Sequence, residues 1–540
     1  MQQAVLSFAD LVVRSPFVRW TWSGLADNSF TQTLPEFRPS DIETVYEMMA
    51  GRYLLASKLV DTQGVSPFAI ENVTDNWRYE LHGFSWLRHF RDSRNDAERR
   101  FARTLVLDWV GRNAHFEQRN WTPALTSVRT LNWLRHLPLL LEGATPDQAK
   151  TIKRSLGTQL QSLKLRGGLV PEPLDALFTA IALLGASLCD DSPGKTIAAR
   201  MTRLKNLLSQ QIDKDGLHRS RNAAVQFQLL TELVTVRQAL GQRQRGLVSA
   251  IGAIIDSMHA ALGMMTLGNG EPAYFNGCGQ LPVDLVIAVQ SQNADRRKSS
   301  GVMSGYGILA DGHSTVIADS GLVPPPQFGA EAHAGGLSFE FSHGSDLVVG
   351  NCGPAPADLA DSRVLFRQGA AHSGPTIDGL SSARLVTRGP WTGRMHSFCA
   401  SPQVSVDTEE VSMGMMTSAY AEKFGVILQR NLTLISDGNT LVGQDVLTPA
   451  RPSVTPSKLI LRFHLAPGAE AERQIDEDII QIKLKSGAIW TFLWEGGVAQ
   501  LDESVRQSAY FGFFRTRQIV IEADVAANRE ISWIFTHQNG

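Results

Sequence analysis

Residues 329–354 read GAEAHAGGLSFEFSHGSDLVVGNCGP, and residues 366–384 read FRQGAAHSGPTIDGLSSAR. Apolar residues alternate with polar ones on both sides of the turn His343-Gly344, the period-two signature of half-buried strands. His333 stands at the opening of the first run and His372 at the opening of a later one, with Asn351 on a segment between them. A sheet that brings these three together has one polar rim. Arg363 and Arg367 come just before the second histidine, and guanidinium forks suit carboxylates and sulfates. The plainer reading is that both histidines pack and hydrogen-bond inside a β-core.

Outward from this stretch, the C-terminal part keeps the same period. Asp311-Gly312, Asp378-Gly379 and Asp437-Gly438 each separate apolar alternating runs, and Asp-Gly tolerates the positive φ of tight hairpin turns. Later strands are expected at 458–465, 479–484, 489–494, 518–522 and 530–536. Many strands without long intervening helices predict layered antiparallel sheets, a sandwich.

Upstream the period changes. Residues 44–59 are expected to be helical, with a break at Ser66-Pro67, and from Asn76 to about Leu262 the pattern is helical with short connections. Phe101, Leu105 and Trp109 share one face. Thr122-Pro123 and Ser192-Pro193 are helix starts, and Asp215-Gly216 is a stop. Further helices are expected at 222–240, 244–262 and 283–290. With no fixed-period repeat, paired helices closing on themselves are favoured over a solenoid. Arg296-Arg297-Lys298 reads as a solvated linker. The predicted fold class is α+β multidomain: an extension over 1–75, an incomplete (α/α) toroid with its junction over 76–300, and an antiparallel β-sandwich over 301–540.

The chain has 540 residues, 43% apolar and 19% charged, enough for two cores. A net charge of −2 provides no global field for nucleic acid or an anionic membrane, so neither is an expected partner. The cysteines Cys189, Cys278, Cys352 and Cys399 are scattered, which argues against a zinc ribbon or disulfide framework. The N-terminus lacks a signal-peptide pattern and no run of about 18 apolar residues occurs. A cytoplasmic location is expected, with the periplasm as the alternative.

Other polar groupings carry candidate chemistry. Arg129, Asn132 and Trp133 share a helix face and suit a sugar, or else supply a core tryptophan beside a solvated arginine. The segment from Asp215 to Asn222 holds His218, Arg219, Arg221 and Asn222, a donor-rich turn for an anion or an ordinary helix cap. Tyr274-Phe275-Asn276-Gly277 lies in the junction with Tyr306 soon after, and a tyrosine of lowered pKa can shuttle a proton. Walker, dinucleotide, H-E-x-x-H and G-x-S-x-G signatures are absent.

Several segments together carry a resemblance. They are Trp77-x-x-Glu80-Leu81, Asp108-Trp109, Asn120-Trp121, Arg129-x-x-Asn132-Trp133 and Asp215-Gly216-Leu217-His218-x-Ser220. The most specific are His333-Ala334-x-x-Leu337-Ser338-Phe339, Asn351-Cys352-Gly353 and Arg367-x-x-x-Ala371-His372-Ser373. Over roughly residues 75–540 the chain resembles the heparinase II/III-like family. That resemblance implies a toroid followed by a sandwich, and polysaccharide lyase chemistry. In that chemistry a uronate carboxylate is neutralised, a Tyr or His removes the C5 proton, and an acid protonates the departing O4. The implied partner is an anionic polysaccharide or oligosaccharide, with a homodimer as a further expectation.

The chain departs from the family pattern at key positions. His218 stands where the family has Glu, and Ala223 and Ala224 where it has Tyr and His. Glu331 replaces the first histidine of H-x-H-A-D, Gly335 its Asp, and Asn351 another Asp. On the resemblance, His218, His372, Glu331 and Tyr306 are the catalytic candidates. Arg129, Asn132, Trp133, Arg219, Arg221, Asn222, Asn276 and Arg367 are the substrate-binding candidates. No cofactor is required, and a structural zinc would sit on His333, Asn351 and His372. The rival readings are a glycan-binding protein that does not cleave, and a hydrolase using carboxyls such as Glu172 with Asp175, or Glu80.

Overall fold

The computed structural model describes residues 11–12, 15, 30–113, 119–292, 298–399, 402–474 and 478–538. Arg296 and Arg297 of the expected linker lie outside them. The chain divides into two compact units: a helical one, within Met1–Ile212, Gln228–Asp256 and Ile287–Gln292, and a β-rich one, within Asp213–Phe227, Ser257–Val286 and Asn293–Gly540.

The helical unit contains α1 (Ile42–Met49), α2 (Asp75–Gly83), α3 (Asp96–Arg112), α4 (Pro123–Leu141), α5 (Pro146–Arg166), α6 (Pro173–Cys189) and α7 (Gly194–Gln211). The chain then enters α8 (Ala223–Arg243), α9 (Ser249–Met264) and α10 (Val283–Gln290). Local chemistry sets the starts. Thr122 accepts from the Leu125 amide ahead of Pro123, and Thr145 with Gln148 forms a reciprocal capping box. Helix α4 packs on both α5 and α6. No helix among the described residues is long and apolar enough to cross a membrane.

Three local expectations are corrected. The helix over 44–59 ends at Met49, and a hairpin of β1 (Arg52–Leu55) and β2 (Lys58–Asp61) follows. Its turn, Ala56-Ser57, has φ of 47° and 64°, which matches strand twist, and β1 buries Tyr53 and Leu55 in alternation. Helix α7 stops at Gln211, ahead of Asp215-Gly216. The helix expected from 244 begins at Ser249, after a short 3₁₀ turn.

In the β-rich unit one sheet runs β19 (Val498–Ser508), β20 (Gly512–Asp524), β15 (Lys458–Leu465), β7 (Asp346–Gly350), β6 (Phe339–His343), β5 (Ser314–Asp319), β4 (Tyr306–Asp311) and β3 (Gly301–Met303). Strand β8 (Pro375–Ile377) adds to β15. The second sheet runs β11 (Gln403–Asp407), β12 (Ser412–Thr417), β13 (Val426–Ile435), β14 (Thr440–Pro449), β21 (Glu530–His537), β18 (Ile489–Glu495), β17 (Ile479–Lys483) and β16 (Glu470–Gln474). All pairings are antiparallel. A separate small hairpin pairs β9 (Ala383–Leu385) with β10 (Met395–Ser397).

Aromatic side chains fill the space between the sheets. Phe339 of β6 stacks on Trp533 of β21 at 5.5 Å, and Phe463 of β15 packs against Phe492, Trp533 and Phe535. Gly443 of β14 is where Trp533 comes closest: a Cβ there would stand 2.0 Å from the indole. Inside the core lies a fully buried ion pair. Arg430 donates from Nε to Asp445 Oδ1 at 2.7 Å and from Nη2 to Oδ2 at 2.8 Å. Its Nη1 reaches the Leu337 carbonyl at 2.9 Å, on the segment leading into β6, so one guanidinium joins the two layers.

Candidate functional site

The expected sugar face on α4 points into the helical unit. Arg129 is fully buried and donates to Gln159 Oε1 at 2.7 Å and to the carbonyls of Asn120 and His82 at 3.0 and 3.2 Å. Its guanidinium lies 4.3 Å over Trp109, and burial, helped by Arg166, lowers its pKa to about 9. Asn132 donates to the Gly83 carbonyl and accepts from Arg38, while Trp133 is edge-on to Phe84 and Trp109. This face is a polar core in which the arginine is bonded internally. Among the carboxyls of this unit, Asp175 is pushed up to about 6 by burial and Glu172, and burial raises Glu80.

The β-rich unit gathers most of the remaining candidates into three connected groups. The first centres on Arg221, which sits at φ 55° just ahead of α8. It donates to Asp319 Oδ1 at 2.8 Å and to the carbonyls of Ser304, Gly305 and Leu322. Its guanidinium stacks 4.1 Å over Tyr306, whose hydroxyl donates back to the Arg221 carbonyl at 2.7 Å. Asn276 donates to the same hydroxyl and accepts the His333 amide, and Asn222 donates to the Asn276 carbonyl. Burial lowers the Arg221 pKa, but Asp319 and Tyr306 outweigh it and hold the charge. Burial pushes the Tyr306 phenol above its ordinary range. A tyrosine so placed is neutral at pH 7 with its O–H already hydrogen-bonded to a carbonyl, and a cation bonded to Asp319 is not free to neutralise a uronate. Arg219 is exposed and takes no part in this group.

The second group is the histidine pair. His333 lies in the loop ahead of β6, and His372 follows a 3₁₀ turn at Gly369–Ala371, so neither opens a strand as expected. Leu337 at φ 61° breaks the extension between His333 and β6. The rings meet nonetheless, with His333 Nδ1 at 3.1 Å from His372 Nε2, and His372 Nδ1 at 2.8 Å from the Gln368 carbonyl. A carbonyl only accepts, so His372 carries its proton on Nδ1. Its Nε2 therefore accepts from His333 Nδ1–H, which leaves the lone pair of His333 on Nε2. That atom has no hydrogen-bond partner among the described residues.

Asn351 is beside this pair in the fold but faces elsewhere. Its Oδ1 accepts the Ser373 amide at 2.8 Å and its Nδ2 donates to the Tyr274 carbonyl at 3.2 Å. The donor set expected for zinc is thus two imidazoles that bond each other and an amide committed to backbone. It does not fit the ion, which takes four strong donors. No group of three or more His, Cys, Asp or Glu suited to a metal occurs among the described residues.

The third group escaped sequence reasoning. Glu340 of β6 is fully buried and accepts the amides of Tyr274 and Asn351 and the Arg506 guanidinium. Arg506 lies 3.6 Å over the Tyr274 ring. The only signal was the polar Glu340 between Phe339 and Phe341 in an apolar strand. His218, for its part, bonds Ser220 Oγ at 2.8 Å and lies edge-on to Phe328. Glu331 is half-exposed, paired with Arg363.

The buried histidines are neutral. Burial lowers His218 and His372 to about 4 and His464 to about 3, and it lowers His333 well below its ordinary value, with His372 and Arg367 adding to the effect. Unfolded histidine titrates near 6.5, so below that pH the unfolded chain binds protons that the folded chain refuses. Stability is complete above about pH 6.5 and falls as pH drops toward 4. At about 1.4 kcal/mol per pKa unit, His218 and His372 each account for roughly 3 kcal/mol by then. Melting curves from pH 7.5 to 4.5 are expected to show a steep decline beginning near pH 6.5. A flat profile would mean that these rings are not buried neutral.

Comparison with known proteins adds the following. Residues 293–534 match the family model described as Heparinase II/III-like, C-terminal. The chain is 26% identical over 496 residues to FtsZ-localized protein C of Caulobacter vibrioides, covering 88% of this chain and 84% of that one. The crystal structure of heparinase III superposes with a TM-score of 0.69 at 12% identity, over 88% of this chain and 79% of that one. A mutant of the heparan sulfate lyase HepC from Pedobacter heparinus gives 0.60 at 13% identity, over 100% and 88%. Identities this low speak to the fold alone, and that fold is a helical toroid followed by an antiparallel β-sandwich.

Proposed function

We propose, with the heparinase II/III-like C-terminal domain at residues 293–534 as the premise, that this chain binds an anionic oligosaccharide or polysaccharide without cleaving it. One observation carries this reading. Three of the candidate site residues, Arg221, Tyr306 and Asn276, are satisfied by one another and by Asp319 inside the β-rich unit. β-Elimination needs a base with a free lone pair near the C5 proton and a cation free for the carboxylate. Here the phenol is raised and bonded, and the cation is paired. The relative named for localisation with FtsZ supports a second element, that the chain also localises with FtsZ. We place it in the cytoplasm, where it meets oligosaccharides or an internal precursor.

The rival is a lyase acting on a uronate glycan, favoured by the unpartnered Nε2 of His333 as a candidate base. An ultraviolet scan against a panel of uronate polysaccharides and their oligomers, following the C4–C5 double bond, separates the two. No absorbance rise is expected, together with binding detected by calorimetry. A rise with any substrate would establish the lyase and end the non-cleaving reading. A fluorescent fusion that failed to follow FtsZ would remove this second element.

A further inference from the structure

The tip of the β19–β20 hairpin presents aromatic rings that the rest of the β-rich unit leaves in water. Tyr510 is 45% exposed and Phe511 72%, with Phe513 and Phe514 half-buried behind them. The rings are contiguous, Phe511 lying 6.5 Å from Tyr510 and 5.6 Å from Phe514. A single exposed ring needs no explanation, whereas a contiguous exposed set marks a contact surface.

Local chemistry holds the tip in this shape. Ser508 pairs with Gly512, so the turn is a three-residue loop closed by a glycine at φ 77°, a hairpin ending in a bulge. Ser508 Oγ accepts the amides of Tyr510 and Phe511 at 3.2 and 3.3 Å and donates to Gln280 Oε1 at 3.0 Å. The same Oε1 accepts the Ala509 amide at 3.0 Å, and the Gln280 amide donates to Gln507 Oε1 at 2.7 Å. The Gln507 amide donates in turn to the Cys352 carbonyl at 2.8 Å. The tip is thus fixed to the segments that carry Asn276 and Asn351, and its backbone is set before any ligand arrives.

Charge narrows the ligand. No Asp or Glu occurs from Ser504 to Ile521. Alternation along β20 puts Phe513, Arg515 and Arg517 on one face. Arg517 has Glu503 directly across the hairpin, but Arg515 is exposed, faces Val505 and has no hydrogen bond or ion pair among the described residues. Aromatic rings beside an open guanidinium suit a pyranose that bears a carboxylate or sulfate: the sugar face stacks and the planar fork bonds the oxygens. Anionic bilayers are held by clusters of cations, whereas Arg515 is a single fork.

We infer that Tyr510, Phe511 and Phe514, with Arg515, form a subsite for an anionic saccharide. The saccharide rests on the binding function proposed above, but the preset aromatic tip does not. The rings supply affinity for the sugar whatever its charge, and Arg515 supplies the preference for an acidic one.

Calorimetry on the full chain with a uronate oligosaccharide, a sulfated oligosaccharide and a neutral oligosaccharide of equal length tests this. The tighter of the two acidic ligands names the anion. Phe511→Ala is expected to weaken binding of that ligand by about tenfold, the loss of one aromatic contact. Arg515→Gln should bring its affinity down to that of the neutral oligosaccharide and leave the neutral affinity unchanged. Both side chains are at the surface, so both variants should keep the wild-type melting temperature. Acidic-ligand binding unmoved by both variants overturns the subsite and leaves the proposed function standing. No binding of any saccharide by the wild-type chain overturns both. Vesicles of anionic phospholipid are not expected to sediment the chain, and sedimentation that Phe511→Ala abolishes would assign the tip to a lipid surface and overturn the saccharide subsite.

Discussion

Arg430→Ala is expected to destabilise the β-rich unit by about 3–5 kcal/mol, the cost of leaving a buried partner charge uncompensated. The side chains of Arg430 and Asp445 are both at 0% exposure, so no water is at hand to take over from the lost partner. Among the described residues, Asp445 would retain the side-chain donor of Trp533, whose indole N–H lies at 3.0 Å. The Leu337 carbonyl would also lose its donor, and with it the tie between the sheets. For a unit of this size, each kcal/mol moves the melting temperature by about 2–4 °C, so a drop on the order of 10 °C is expected. Replacing both charges, Arg430→Met with Asp445→Leu, should recover most of the loss, because the penalty lies in the unpaired charge rather than in the missing pair. A melting temperature unchanged in Arg430→Ala would show that this pair is not the buried bolt described here.

The outline of both units was legible because it rests on local chemistry. Thr122-Pro123 starts a helix by capping and by the fixed φ of proline, and Asp437-Gly438 closes the β13–β14 hairpin with φ of 55° and 77°. The 44–59 segment failed because its alternation begins inside a window that also satisfies a helical period; only Gly51, at φ 87°, marks the change. On α4 the spacing of Arg129, Asn132 and Trp133 correctly put them together but held no information on whether that face meets solvent or core. The ion pairs that define the site lie further from sequence reasoning still. Arg221 and Asp319 are 98 positions apart, and Arg506 and Glu340 are 166 apart. No periodicity links such residues, and their partnership is decided only when strands and loops converge.

Arg221→Ala should be nearly as damaging as the loss of Arg430, and it also separates a closed structural network from an open substrate clamp. Its guanidinium serves Asp319 and three carbonyls at once and covers the face of Tyr306. Removing it leaves a buried carboxylate without its cation, again about 3–5 kcal/mol. Asp319 would still accept from the Gly321 amide and the Asn276 side chain, but burial already raises its pKa, so uptake of a proton is the expected response once the cation is gone. The deficit should therefore shrink as the pH falls toward the acid range, opposite in sign to the histidine effect, and should narrow in Asp319→Asn with Arg221→Ala. Lysine cannot replace it, since one ammonium cannot span acceptors arranged for a planar fork. If Arg221 were instead held ready for a uronate, Arg221→Ala would keep its melting temperature and lose saccharide affinity. The closed network requires the reverse, a large loss of stability, with saccharide affinity at low temperature retained wherever the variant still folds.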